Sequence, residues 1–222
     1  MMISRFTEPH RWAMASFKGR PFFRLTAKKG DTPLGGALPP PAVAVHQGWT
    51  SEFRPPLHEQ VEMHWSLGIP EDYLVTPGYA LSLPPQLHSV NLGAEPFALW
   101  LYGDKIRFAL SVDDPRGQPI DSVDDIWMVG ITDIPFTPGD VFDFDLYWIS
   151  SGQKDGYCVL WVNGKQVLQY NGPTLCTKEA CVVNPTAPIP YLNHMLYVFG
   201  KDEASAWPVQ AREIYYLPWG LK

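Results

Sequence analysis

The stretch from 141 to 171 constrains the fold more than any other part of the chain. In 141–149, VFDFDLYWI, the apolar residues Phe142, Phe144, Leu146 and Trp148 alternate with Asp143, Asp145 and Tyr147. A period of two sends successive side chains to opposite faces, so this run is a strand with one buried face. After the turn SSGQKDG comes YCVLWV, then Asn163-Gly164, then KQVLQY. Asn-Gly between two such runs is the strongest short hairpin signal, because both central residues of the tight turn need positive φ.

The same grammar recurs elsewhere. In 58–69, HEQVEMHWSLGI, the residues Val61, Met63, Trp65 and Leu67 share one side. Residues 21–29 read as a strand ending at the turn GDTP, and 79–88 as a short extended segment broken by Pro84-Pro85. The runs 97–102 and 105–112 flank Gly103-Asp104, a second hairpin signal. Residues 191–199 and 212–217 supply two more strands. The 23 prolines and 18 glycines break long helices, and no convincing helix of three turns is found. The expectation is an all-β chain of nine to twelve strands, a two-sheet sandwich or jelly roll. One domain over 1–222 is expected, with 1–20 as an N-terminal extension and 33–57 as a Pro/Gly-rich irregular loop. Trp65, Trp100, Trp148 and Trp161 lie in alternating runs, and core packing is their default reading.

Composition and charge remove several function classes. No apolar run reaches the length of a membrane span. The start, MMISRFTEPHRW, lacks the apolar core of a signal peptide, which leaves a trimmed secreted chain, a cytoplasmic protein or a virion protein open. A net charge of −6 disfavours a nucleic-acid binder. Residues 1–30 nevertheless carry seven cations against Glu8, a stretch that could attract a polyanion but reads first as a solvated flank. Cys158 reads as a buried small hydrophobe, whereas Cys176 and Cys181 could be a local disulfide or two free thiols. No second Cys or His pair stands at zinc spacing, so a structural zinc is not expected. The repeated SVDD at 111–114 and 122–125 lacks the spacing of a calcium loop and reads as turn chemistry, although a structural calcium stays open.

Four runs, in order, resemble the polysaccharide lyases of the heparin-lyase and alginate-lyase type, which are concanavalin-like jelly rolls with a concave sugar groove. They are VEMHWSLGIPEDY at 61–73, Gln86-Leu87-His88 as a Gln-x-His motif, GYCVLWVNGKQVLQYNGP at 156–173, and YLNHMLY at 191–197 with its two tyrosines six apart. The resemblance covers roughly residues 21–217 and implies β-elimination on a uronate-containing polysaccharide, with no cofactor required and an acidic polysaccharide or other glycan as partner. In such a reaction the carboxylate beside C5 must be neutralised, a base must take the C5 proton, and an acid must protonate the leaving oxygen. The resemblance implies Gln86 for neutralisation, His88 or Tyr197 as base, and Tyr197 as acid. Arg54, Arg107, Asn193 and Tyr191 are the implied substrate contacts. Gln86 and His88 are two apart and share a strand face, as do Tyr191, Asn193, Met195 and Tyr197.

This sequence departs from the family pattern at three places. Asn193 stands where the family has lysine, Met195 where it has glycine, and the Arg-x-Glu strand is reduced to Arg54 before Pro55 and Pro56. These departures define a second reading, a non-catalytic jelly roll that binds glycan or serves as a structural module, for example a phage virion surface or tail protein, with an oligomer or virion assembly open. A hydrolase reading needs two suitably spaced carboxylates, and Glu59 and Glu62, three apart, would face opposite sides of a strand.

Overall fold

The structure, a computed structural model, describes residues 12–28, 43–50, 55–75, 80–89, 96–113, 126–175, 190–200 and 211–221. Within them the chain forms thirteen strands and no helix. They are β1 (Trp12–Phe17), β2 (Arg20–Lys28), β3 (Val43–Thr50), β4 (Gln60–Gly68), β5 (Ala80–Ser89), β6 (Phe97–Tyr102), β7 (Lys105–Asp113), β8 (Ile126–Pro135), β9 (Val141–Ile149), β10 (Tyr157–Val162), β11 (Lys165–Asn171), β12 (Pro190–Gly200) and β13 (Ala211–Leu221). One sheet has the order β1-β2-β13-β4-β9-β10-β11 and the other β3-β12-β5-β6-β7-β8. The all-β, two-sheet jelly roll expected from the alternation is the fold observed.

The alternation of β4 and β9 works as the sequence dictates. Their strands pair with Trp65 opposite Phe144 and Val61 opposite Trp148. The rings of Trp65 and Phe144 stack at 5.1 Å. Phe97 of the second sheet meets Trp148 of the first at 5.6 Å, so the aromatic core spans both layers. Each such side chain taken fully out of water contributes roughly 1.5–3 kcal/mol. Among the four tryptophans expected to pack inward, Trp65 and Trp148 do so, while Trp100 and Trp161 are only half-buried, on the outer faces of the two sheets.

The two turn signals hold. Asn163 and Gly164 have φ of 50° and 74°, the mirror-image turn that matches strand twist. Gly103, at φ 60°, turns β6 into β7. Cys158 is buried and free, as read.

Three segments differ from expectation. The region read as an N-terminal extension contains β1, which pairs with β2 from Trp12–Leu25 to Phe17–Arg20. Only Phe17 of β1 is buried, so the strand carries almost no alternation signal. The region read as a Pro/Gly-rich loop contains β3, because the proline run ends at Pro41 and VAVHQGWT is free of proline. β8 is a strand beyond those expected; Gly130 sits at its centre, where its pairing with β7 shifts register. The SVDD tract beyond Asp113, the Cys176 and Cys181 pair, and Arg54 lie outside the described residues.

Candidate functional site

The outer face of the six-stranded sheet is built around β12. Leu192, His194, Leu196 and Val198 are buried in the core, so the alternate positions 191, 193, 195 and 197 belong to the opposite face. Register then assembles that face row by row. Tyr197 stands opposite His46 of β3 on one side and Ser82 of β5 on the other. Ser82 stands opposite Trp100, Trp100 opposite Arg107, and Arg107 opposite Asp133. One row therefore crosses all six strands: His46, Tyr197, Ser82, Trp100, Arg107, Asp133. Directly opposed residues in antiparallel strands have Cβ atoms roughly 4.5–5.5 Å apart.

Two further rows lie along β12. Asn193 stands between Thr50 and Gln86, and Tyr191 stands opposite His88. In a regular strand the four residues from Ser82 to Gln86 would span about 13 Å, too far for their side chains to meet. They do meet: Gln86 Nε2 donates to Ser82 Oγ at 2.8 Å. The cause is local. Between Leu83 and Leu87, three residues of β5 stand against Ala98 alone of β6, and Pro84-Pro85 fall inside this irregularity. Gln86 keeps its place opposite Asn193, and its amide reaches back to Ser82, the residue opposite Tyr197. Gln86 and Ser82 are 2% and 1% exposed, a preorganised polar pair rather than two mobile surface groups.

Arg107 stands three strands from Tyr197 in the shared row. Its guanidinium grips Asp133 in two parallel bonds, Nε to Oδ1 at 2.7 Å and Nη2 to Oδ2 at 2.9 Å. The hydrogen bonds from Arg107 hold the Asp133 carboxyl below its ordinary range, and those to Asp133 raise Arg107 in turn. Its Cζ lies 4.9 Å from the centre of the Tyr102 ring. This is a fixed cation whose charge is largely matched.

Sequence reasoning missed His46. Its strand was hidden by the preceding prolines, and its pairing with Tyr197 spans most of the chain, which no local pattern encodes. The available signal was the proline-free run VAVHQGWT with valines two apart. The strand beside β12 is this β3, which contains neither arginine nor an acid. Two cations of the basic N-terminal stretch have their partners elsewhere. Arg20 bonds Asp143 through both nitrogens, at 2.7 and 3.2 Å, and Ser66 at 2.8 Å, all on the other sheet. Burial alone would raise the Asp143 carboxyl, but the bonds from Arg20 and Ser66 hold it below its usual range. Lys18 pairs with Glu71. Among the described residues no three His, Cys, Asp or Glu side chains come together as a metal group.

No protein-family profile and no curated protein matches the sequence. Solved structures do match. An endo-β-1,4-glucuronan lyase from the fungus Trichoderma reesei superposes with a TM-score of 0.68 at 12% identity, covering 99% of this chain and 90% of that one. The PL-14 alginate lyase from Aplysia kurodai gives 0.58 at 12% identity, over 96% and 87%. A double mutant of the alginate lyase Aly36B, in complex with alginate tetrasaccharide, gives 0.57 at 16% identity, over 96% and 83%. The fold of this chain is thus the jelly roll of the polysaccharide lyases.

Proposed function

We propose that this protein cleaves a uronate-containing polysaccharide by β-elimination across the outer face of the six-stranded sheet. The observation that carries the reading is the row in which Tyr197 lies between His46 and Ser82, with the Gln86 amide anchored at Ser82. In the proposed reaction the Gln86 amide hydrogen-bonds the substrate carboxylate and lowers the cost of charge building at C5. A base removes the C5 proton, the freed pair forms the C4–C5 double bond, and the C4–O bond breaks. Tyr197 protonates the departing glycosidic oxygen. The register supports His46 as the imidazole beside Tyr197. His88 stands at the row of Tyr191, six residues or about 20 Å along β12, and suits a neighbouring sugar subsite together with Tyr191 and Asn193. Arg107 is proposed to contact substrate only from the far end of the row.

The similarity to a glucuronan lyase makes glucuronan the first polymer to test, followed by alginate, heparin and hyaluronan. Elimination creates an unsaturated uronate that absorbs in the ultraviolet. Tyr197→Phe and His46→Ala are each expected to lower turnover by about 10²–10⁴-fold. His88→Ala should raise KM and leave turnover within a small factor. Absence of product from every uronate polymer would overturn the proposal. Glycan binding without product would instead support the binding-module reading, which Asn193 and Met195 favour.

A further inference from the structure

The outer face of the seven-stranded sheet carries a second constellation, separated from the Tyr197 row by the whole core. β10 presents Tyr157, Val159 and Trp161 at alternate positions. Register sets Val159 opposite Tyr147 of β9, and Trp161 opposite Gln166 of β11. With Gln60 of β4, these six residues line a shallow hollow of about 270 Å³. Val159 forms a buried floor, the three aromatic rings are half-buried, and Gln60 and Gln166 are exposed. Gln166 Nε2 donates to Gln169 Oε1 at 3.1 Å, which extends the amide rim.

Aromatic residues on a sheet surface usually satisfy themselves by packing on cross-strand neighbours. These do not. Among the described residues, the side chains of Tyr147, Tyr157 and Trp161 make no ring contact, hydrogen bond or ion pair. Their faces and polar tips are available together. Tyr157 and Trp161 are four residues apart, about 13 Å along the strand, with Tyr147 between and beside them.

The charge around the hollow decides what chemistry it suits. No lysine or arginine lines it. Glu62 stands opposite Tyr147 and Asp145 opposite both Trp161 and His64. Asp145 is also bonded to His64 Nδ1 at 2.6 Å. Carboxylates at the border repel a polyuronate, whereas sugar hydroxyls both donate to and accept from the glutamine amides. A patch of six residues is also far below the ~800 Å² per partner of a stable protein interface.

We propose that this hollow is an ancillary binding site for uncharged polysaccharide, in which Trp161 and Tyr157 stack on sugar rings and Gln60 and Gln166 bond their hydroxyls. The site goes beyond the catalytic reading and does not depend on it. It would hold the protein on a neutral glycan while the opposite sheet works on a charged one.

Native affinity electrophoresis tests this with hydroxyethylcellulose, glucomannan and arabinoxylan as neutral probes and alginate as the charged one. At least one neutral polymer should retard the wild type. Trp161→Ala should weaken that retardation about tenfold. Tyr157→Ala should weaken it as well, and neither variant should change alginate retardation or melting temperature. Tyr197→Phe should bind the neutral polymer like the wild type, whatever it does to elimination. Lack of retardation by all three neutral polymers, or retardation indifferent to both substitutions, would overturn the proposal. So would a concentration-dependent dimer in sedimentation velocity that Trp161→Ala dissolves.

Discussion

His194 shows how a single side chain in a two-sheet core can set the pH response. It projects from β12 into the interior, where its Nδ1 shares a hydrogen bond with the Tyr216 hydroxyl of the other sheet. Burial pushes the imidazole down from 6.5 to about 4, and pushes Tyr216 far above its ordinary range, so the phenol stays protonated. The folded chain therefore binds this proton later than the unfolded chain as pH falls. Its contribution is complete above the unfolded value near 6.5, declines as pH drops, and levels once the folded histidine protonates near 4. At about 1.4 kcal/mol per pH unit, that window removes on the order of 3 kcal/mol. Urea unfolding of the wild type at pH 7 and pH 4.5 should show the loss. His194→Gln, which retains a hydrogen-bonding group but cannot titrate, should be less stable at pH 7 and flatter between the two pH values. An equal slope in both proteins would count against the assignment. The Arg20–Asp143–Ser66 cluster makes a smaller claim. Arg20 and Asp143 are more than a third exposed, so solvent screening discounts the pair, and Arg20→Gln should cost only about 1 kcal/mol.

At the level of elements, two glycines separate backbone strain from steric conflict. Gly164 has φ of 74° and nothing within 4 Å of a Cβ built on it. Gly164→Ala therefore meets only the left-handed penalty, about 1 kcal/mol. Gly156 closes the turn between β9 and β10, where its carbonyl accepts a bond from Gly172 N at 2.9 Å. A Cβ there would lie 2.2 Å from the Gly172 carbonyl oxygen, a backbone atom that cannot swing away. Gly156→Ala should cost more than about 3 kcal/mol, and a chemical-unfolding comparison of the two variants reads the difference directly. The contrast also explains which elements were legible. The β9–β10–β11 and β6–β7 hairpins announce themselves because turn residues and alternation are local. β1 does not, since WAMASF buries one residue and lies at a sheet edge. β3 does not, since its prolines precede it and its partner is β12. Gln86 and His88 were visible as a motif, but the irregularity at Pro84-Pro85 and the bond from Gln86 back to Ser82 were not. Neither was the register that sets His46, rather than His88, opposite Tyr197.

For the molecule as a whole, electrostatics leads to an unusual expectation. The chain carries a net charge of −6, yet the proposed substrate is a polyanion. The one guanidinium described in the Tyr197 row is already held by Asp133, and Lys18 and Arg20 are paired on the other sheet. Among the described residues, recognition then rests mainly on short hydrogen bonds and stacking, working against a repulsive long-range field. Added salt shortens the reach of that field from about 30 Å at 0.01 M to about 8 Å at 0.15 M, while leaving close hydrogen bonds almost untouched. A basic polyanion binder loses affinity over this range. This protein should gain it: KM for glucuronan is expected to fall roughly twofold to fivefold between 10 and 150 mM sodium chloride, with kcat nearly constant. Steady-state rates across that range decide the point, and a KM that climbs steeply with salt would mean that free cations beside the row, not the neutral Gln86–Ser82 pair, dominate substrate capture. The neutral-glycan affinity of the Trp161 hollow should be flat over the same series, because stacking on an uncharged chain offers salt nothing to screen.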